Sequence, residues 1–456
     1  MTIPLRPGES VALTVTDRAR KQAWLIWSTA VVVYIAAVFH RSTLGVAGLE
    51  ASERFGLGPA ALGTFTVLQI GVYALMQIPT GLLVDRFGPR RVLTAAALLM
   101  GTGQVLFAIA DSYPLGLVAR AVLGVGDAMT FVSVLRLAAA HFSARRFSLI
   151  VSLTAALGGA GNLVATLPLT FMLSRFGWTW AFLLAGVLTA AYSVIALWRL
   201  RDVPDGVTAP VQEPVPLRGV LRKVAEAWAV PGTRLGFWAH FSTMSTPAII
   251  GLLWGFPYLV QAQGMSPEAA STMLGLLVIG AIIASPIIGA VFSKRPELRM
   301  PIAGAFVAAA IVVWTVLLGW PGGVVPIPVL GVAFLVLTVG GPISGVAFAL
   351  ARDYNPMQRV STASGLVNVG GFTAVTIGAL SVGVLLDLAD GLAPQQAFRI
   401  GLLACFGVLL LGTWRMLVWW RRTRAEVFAA EERGETVPVR LRRTRWDASS
   451  RQATAA

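Results

Sequence analysis

Gly81-Leu82-Leu83-Val84-Asp85-Arg86-Phe87-Gly88-Pro89-Arg90-Arg91 is a short, charged segment set between two uncharged apolar runs. Leu62 to Leu83 carries no charge before it, and Val92 to Ala110 carries none after it. A chain that leaves a membrane, turns within a few residues and re-enters has this pattern. Gly81 is expected to let two helix ends approach closely, and Gly88-Pro89 to interrupt the helix and turn the chain. Asp85 suits a helix N-terminus or an arginine partner. Arg86, Arg90 and Arg91 are expected to hold the turn on the cytoplasmic side.

Composition supports a membrane setting. Of 456 residues, 56% are hydrophobic and 12% charged. A soluble domain carries about twice that charged fraction, so this chain could not clothe a water-facing surface. The net charge of +15 does not imply nucleic acid, because the arginines sit in short loops and in the C-terminal tail. That distribution follows the positive-inside rule. The single cysteine, Cys405, excludes a disulfide framework and a cysteine-based metal site. The N-terminus, with Arg6, Arg18, Arg20 and Lys21, reads as an uncleaved cytoplasmic tail.

Working outward, apolar runs of about 20 residues or more recur. Twelve are read, at 23–49, 60–83, 91–110, 113–140, 147–174, 178–199, 235–262, 268–292, 300–319, 326–351, 360–387 and 395–420. Each should be helical, since a segment in lipid must satisfy its own backbone. Alternate connections are basic, carrying Arg86/Arg90/Arg91, Arg145/Arg146, Lys294/Arg295/Arg299 and Arg352/Arg359, which puts both termini in the cytoplasm. The expected division is a cytoplasmic tail at 1–22, a six-helix bundle at 23–199, a linker at 200–234, a second bundle at 235–420 and a tail at 421–456. The linker holds Pro204, Pro210, Pro214 and Pro216 and then an amphipathic piece, Leu217 to Trp228, suited to the membrane surface. The tail, rich in Arg and Glu without apolar period, is expected to be disordered or to lie on anionic lipid.

The opening segment also resembles the loop between the second and third helices of the major facilitator superfamily, G-x-L-x-D-R-x-G-R-R-x-x-L, ending here at Leu93, with Pro89 as a variation. Gly289-Ala-Val-Phe-Ser293-Lys294-Arg295 is a degenerate second copy after the eighth run. The resemblance implies an all-α integral membrane protein with twelve transmembrane helices in two pseudo-symmetric six-helix bundles, working by alternating access. It also implies a conformational latch at Gly81, Asp85, Arg86, Gly88 and Arg90.

Ionisable residues inside a span are costly and mark candidate sites. The first run holds His40 and Arg41, the fourth Arg120, Asp127 and Arg136, and the seventh His240. Arg41 could grip a planar anion with two parallel hydrogen bonds, or extend to the outer interface. Arg120, Gly124 and Asp127 share a helix face. Arg120-Ala-Val-Leu-Gly124-Val-Gly126-Asp127 resembles the superfamily's R-x-x-x-G-x-G motif, and an acid following it resembles the anion:cation symporter branch. That resemblance implies a first-helix arginine binding the substrate's acid group and a fourth-helix carboxylate taking part in proton coupling. The branch has an aspartate where this chain has His40, so a proton carrier is either lost or replaced by a histidine titrating nearer neutrality.

Asp127 reads equally well as a static partner of Arg120. His240, Asn162 and Asn368 are further candidates for the substrate, and Arg136 reads as reaching for the cytoplasmic surface. Trp178, Trp180, Trp254 and Tyr258 read as interface anchors or cavity walls. There is no catalytic constellation and no Gly-x-x-x-x-Gly-Lys-Ser/Thr loop, so neither an enzyme nor an ATP motor is expected. No cofactor is expected beyond a proton gradient.

The reading is a monomeric plasma-membrane transporter, partnered by lipid and protons and not by nucleic acid. It would move a small organic anion, a carboxylate, with protons. A proton-coupled exporter of amphipathic or cationic compounds and a nitrate-type carrier remain as alternatives. Topology is testable by cysteine labelling on a Cys405→Ser background. A maleimide that cannot cross the membrane should reach Ser143→Cys only from the cytoplasmic face and Gly322→Cys only from outside.

Overall fold

The computed structural model describes residues 17–142, 144–204, 217–356, 359–437, 439 and 441–443. The first 16 residues, the linker stretch 205–216, the tail from 444, and the side chains of Asp85, Arg145 and Arg146 lie outside that set. Among the described residues, eleven helical stretches are long and apolar enough to cross a membrane. One of them, Leu153–Arg199, has 47 residues. As a straight helix it would run about 70 Å, over twice the apolar thickness of a bilayer. It turns instead at Gly177, φ 73°, and so holds two crossings. The total is twelve.

In the first bundle, span 1 is Asp17–Ser42 and Leu44–Phe55, broken at Thr43. Spans 2 and 3 are the two arms of Pro59–Ile109, turned at Gly88. Span 4 is Tyr113–Ala128 continued by Thr130–His141. Spans 5 and 6 are built from Ala144–Val164 and Leu167–Arg199. In the second bundle, span 7 is Pro231–Ile249 extended by the π-helical turns Ile250–Trp254 and Tyr258–Ala262. Span 8 is Pro267–Lys294, span 9 Arg299–Gly319, and span 10 the broken series Ile327–Thr338, Gly340–Ser344 and Val346–Asp353. Spans 11 and 12 are Val360–Leu388 and Pro394–Glu432. An even number of crossings brings both ends of the chain out on one side, called here the terminal side.

The last helix outruns the sequence expectation by twelve residues. It does not stop at 420, because Val427 and Phe428 are buried and the tail folds back on them. Arg424 donates to the Arg442 carbonyl at 2.8 Å, and Arg443 pairs with Glu432 at 3.0 Å. The linker helix Leu217–Ala229 forms as its pattern implies. It docks through Ala227 among Ala347, Ala351, Ala363 and Val367.

The turn between spans 2 and 3 corrects one glycine assignment. A Cβ at Gly81 would meet nothing, so no helix approaches there. The close approach is at Gly88, whose φ of 78° suits glycine. Its open face admits Asp202, from the chain just past span 6. That carboxylate accepts the Arg90 backbone N–H at 2.7 Å and so caps the start of span 3, where unpaired N–H groups attract an anion. Arg90 itself donates to the Leu197 carbonyl at 2.9 Å. In the second bundle the matching end is tied by Arg299, buried, which bonds Asp353 and the Phe292 carbonyl.

The two bundles meet on the side away from the termini. A Cβ on Gly45 of span 1 would collide with the Gly251 carbonyl of span 7. Thr170 of span 5 and Ser271 of span 8 share a 2.8 Å hydrogen bond. Asp387, at the end of span 11, accepts the Ala60 N–H at 3.1 Å and so caps span 2 across the bundle boundary. These contacts close the bundles at the far side. Asp387→Ala should loosen the far-side closure. Spin labels at Leu57→Cys and Gln261→Cys should report a longer mean distance in that variant, and an unchanged distribution would deny Asp387 this role.

Candidate functional site

Span 1 breaks at Thr43, and the break organises its neighbours. The His40 carbonyl, freed from a regular helical partner, accepts from Thr43 Oγ1 at 3.1 Å and from Arg120 Nη1 at 3.4 Å. Arg120 also reaches Thr43 Oγ1 at 3.3 Å and lies 5.3 Å from the Phe107 ring. It is fully buried inside the first bundle.

Arg41 leaves the same helix in another direction. Its Nε donates to Asp127 Oδ2 at 2.8 Å and its Nη2 to Oδ1 at 2.5 Å. This parallel pair of charge-assisted bonds joins span 1 to span 4. Asp127 is 1% exposed and Arg41 13%, so the arginine carries the accessible edge. Its guanidinium carbon stands 4.7 Å from the Tyr73 ring of span 2 and 5.6 Å from the Phe372 ring of span 11. Those two rings contact each other across the bundle boundary at 4.6 Å. The pair therefore sits at the interface of the halves.

Two sequence expectations change. Asp127 is held by Arg41, not by Arg120. Seven residues on one helix are about 10 Å of rise, too far for a direct pair, whereas span 1 faces Asp127. His40 does not face the interface. It is fully buried, with Nδ1 3.2 Å from Gln104 Oε1 and Nε2 2.8 Å from Thr189 Oγ1, so it ties span 1 to spans 3 and 6. Neighbouring helix residues point about 100° apart, which is why His40 and Arg41 part company.

The remaining candidates divide by bundle. Asn162 of span 5 accepts from Ser42 Oγ at 2.5 Å, one residue from Arg41. Asn368 of span 11 neighbours both the Tyr73 hydroxyl and His240. His240 of span 7 is 3% exposed, and neither ring nitrogen has a hydrogen bond of good geometry. It stands edge-on to Phe348 at 5.1 Å, and Gly371 packs against its ring. Arg136 is exposed, away from this cluster. Trp178 is a core residue bonded to the Phe107 carbonyl, and Trp254 bonds the Ala379 carbonyl near the far-side closure. A hollow of about 580 Å³ between Leu49, Trp254 and Phe398 lies beyond that closure, apart from this site. Sequence reading missed Tyr73, Phe372 and Asp202; an aromatic residue in an apolar run carries no mark separating core from site.

The family model of the Major Facilitator Superfamily matches residues 30–345. The chain belongs to that superfamily. It is a membrane transporter, not an enzyme, and its substrate is a small molecule. The probable sulfoacetate transporter of Cupriavidus necator is 25% identical over 60% of this chain and 66% of its own length. The probable galactarate/D-glucarate transporter of Escherichia coli K12 is 23% identical over 87% and 94%. Among solved structures, a bacterial homologue of the human lysosomal transporter Spinster, inward-facing and unoccupied, superposes with TM-score 0.71 at 16% identity, covering 88% of this chain and 97% of that one. That likeness extends to the fold.

His40→Ala should cost stability and spare recognition. Leaving the Gln104 side-chain oxygen unpaired, and Thr189 with only its bond to the Ala185 carbonyl, should lower stability by about 1–3 kcal/mol, seen as a lower Tm in detergent. The affinity for substrate should stay within twofold of wild type.

Proposed function

We propose that the protein carries a small organic anion, a carboxylate, across the plasma membrane together with protons, with both termini cytoplasmic. The observation that supports this best is the Arg41–Asp127 pair at the boundary of the two bundles. Asp127 occupies the Nε and Nη2 side of the guanidinium, and the acid group of a substrate would take the Nη1 side, beside the Tyr73 hydroxyl. With Asp127 ionised the pair is neutral and attracts an anion weakly. Protonation of Asp127 frees a full positive charge in a low-dielectric site, where an anion is bound far more strongly. Substrate and proton are then taken up together. By linkage, affinity for the anion rises as pH falls. The relatives that carry sulfoacetate and galactarate or glucarate move organic anions of this kind.

The exporter alternative needs Asp127 as an open acceptor for a cation. A carboxylate already held by an arginine with two hydrogen bonds suits that role poorly. Asn162, Asn368 and His240 supply the neutral hydrogen-bonding groups around the anion, and the Gly88 turn acts as the latch on the terminal side. Closure at the far side is the arrangement expected of a state open to the cytoplasm.

Proteoliposomes loaded with a pH-sensitive dye test the reading. Adding an organic acid should drive proton entry, and Arg41→Ala should abolish both this flux and acid binding. Asp127→Asn should keep acid binding, flatten its pH dependence and uncouple it from proton flow. Proton flux with cationic dyes alone, unaltered by Arg41→Ala, would overturn the proposal.

A further inference from the structure

We infer that the anion is an aromatic monocarboxylate and that Phe372 selects for it, an inference that rests on Arg41 being the anion anchor. The charge inventory is the first argument. Residues 235–293, 300–351 and 360–386, which make up most of spans 7 to 11, contain no lysine or arginine. In the first bundle, Arg120 is fully buried, bonded through Nη1 alone to the His40 carbonyl and Thr43, with Nε and Nη2 left without a hydrogen-bond partner among the described residues but out of reach of the bundle boundary. Arg136 is exposed and nine residues beyond Asp127, about 13 Å along the helix. Arg41 is thus the arginine that the described residues place at the bundle boundary. A substrate with two carboxylates would leave one of them unpaired in a low-dielectric cavity, which is strongly unfavourable.

The walls are the second argument. Both ring contacts of the guanidinium are to aromatic side chains, Tyr73 from one bundle and Phe372 from the other. The second bundle continues this surface with Met244 and Phe348 around His240. The polar groups described beside Phe348 are His240, Asn368 and the backbone of Ser344. A sugar-acid chain brings a hydroxyl on nearly every carbon, and each needs a partner when it leaves water. An aryl ring needs none, and it gains from offset or edge contacts with Tyr73 and Phe372. In this arrangement the carboxylate meets the guanidinium and the ring lies against Tyr73 and Phe372. A substituent at the far end, such as a phenolic hydroxyl, is within the province of His240, whose ring nitrogens lack a hydrogen bond of good geometry, with Asn368 beside it. Phe372 belongs to the bundle opposite Arg41, so an aryl acid bridges the halves.

Calorimetry on the purified full-length protein in nanodiscs tests this with benzoate, 4-hydroxybenzoate, cyclohexanecarboxylate, gluconate and glucarate. The two aryl acids should bind at least about tenfold more tightly than cyclohexanecarboxylate, which matches benzoate in size without its π-system, and than either sugar acid. Phe372→Leu keeps an apolar side chain and should weaken benzoate about fivefold while moving cyclohexanecarboxylate less than twofold. Phe372→Tyr should retain the preference. If glucarate or gluconate binds more tightly than benzoate, or if Phe372→Leu weakens every acid equally, the aromatic assignment fails. The anion reading survives that result provided Arg41→Ala abolishes the binding. If no acid binds, or if Arg41→Ala leaves binding intact, the anion reading itself falls and takes this inference with it.

Discussion

The two hydrogen bonds between Arg41 and Asp127 are the constraint around which the centre of the molecule is arranged. A single charge at this depth in a bilayer costs at least a few kcal/mol; a tightly bonded opposite pair offsets part of that, and losing one partner would leave the other charge uncompensated. The pairing sets how span 1 meets span 4, and it sets two opposite charges against each other within the apolar interior. Tyr73 and Phe372 complete the arrangement by bringing aromatic faces to the arginine from both bundles.

The surrounding helices accommodate this through deliberate irregularity. Span 1 breaks at Thr43, span 4 at Met129 and span 10 at Val339 and Gly345, while span 7 takes two π-helical turns. Broken helices free backbone groups, and inside a membrane these must find partners. Arg120 answers for the His40 carbonyl through Nη1, while its Nε and Nη2 find no hydrogen-bond partner among the described residues. Glycines act in a similar way at a few points. Gly45 allows spans 1 and 7 to touch backbone to backbone, and Gly88 allows Asp202 to reach the start of span 3. Two carboxylates, Asp202 and Asp387, thereby cap helices to which they do not belong, one within a bundle and one between bundles.

Much of this was legible from residue order. The twelve apolar runs, the loop signature at Gly81 to Arg91 and the alternation of basic connections follow from hydrophobicity and charge, which are properties of residues rather than of contacts. Arg41 and Asp127 were each conspicuous because charges are rare in spans. Their partnership was not, since the pattern along span 4 pointed to Arg120. His40 looked like a site residue for the same reason of rarity, and it proved to be a structural tie. The helix past Trp420 was missed because its docking face, Val427 and Phe428, is too short to show a period.

Sequence alone determined that the chain is a membrane protein, how many times it crosses, which superfamily its loop resembles and which few residues carry charge in the apolar interior. These are local quantities, set by the cost of exposing polar or charged groups to lipid. Only the tertiary structure decided which charge meets which, that Asp387 bridges the bundles, that Tyr73 and Phe372 share Arg41, and that the halves are closed on the side away from the termini. Those are contacts between segments tens to hundreds of residues apart. A helix presents every direction in turn, so the direction that counts is chosen only when the neighbouring helices are in place.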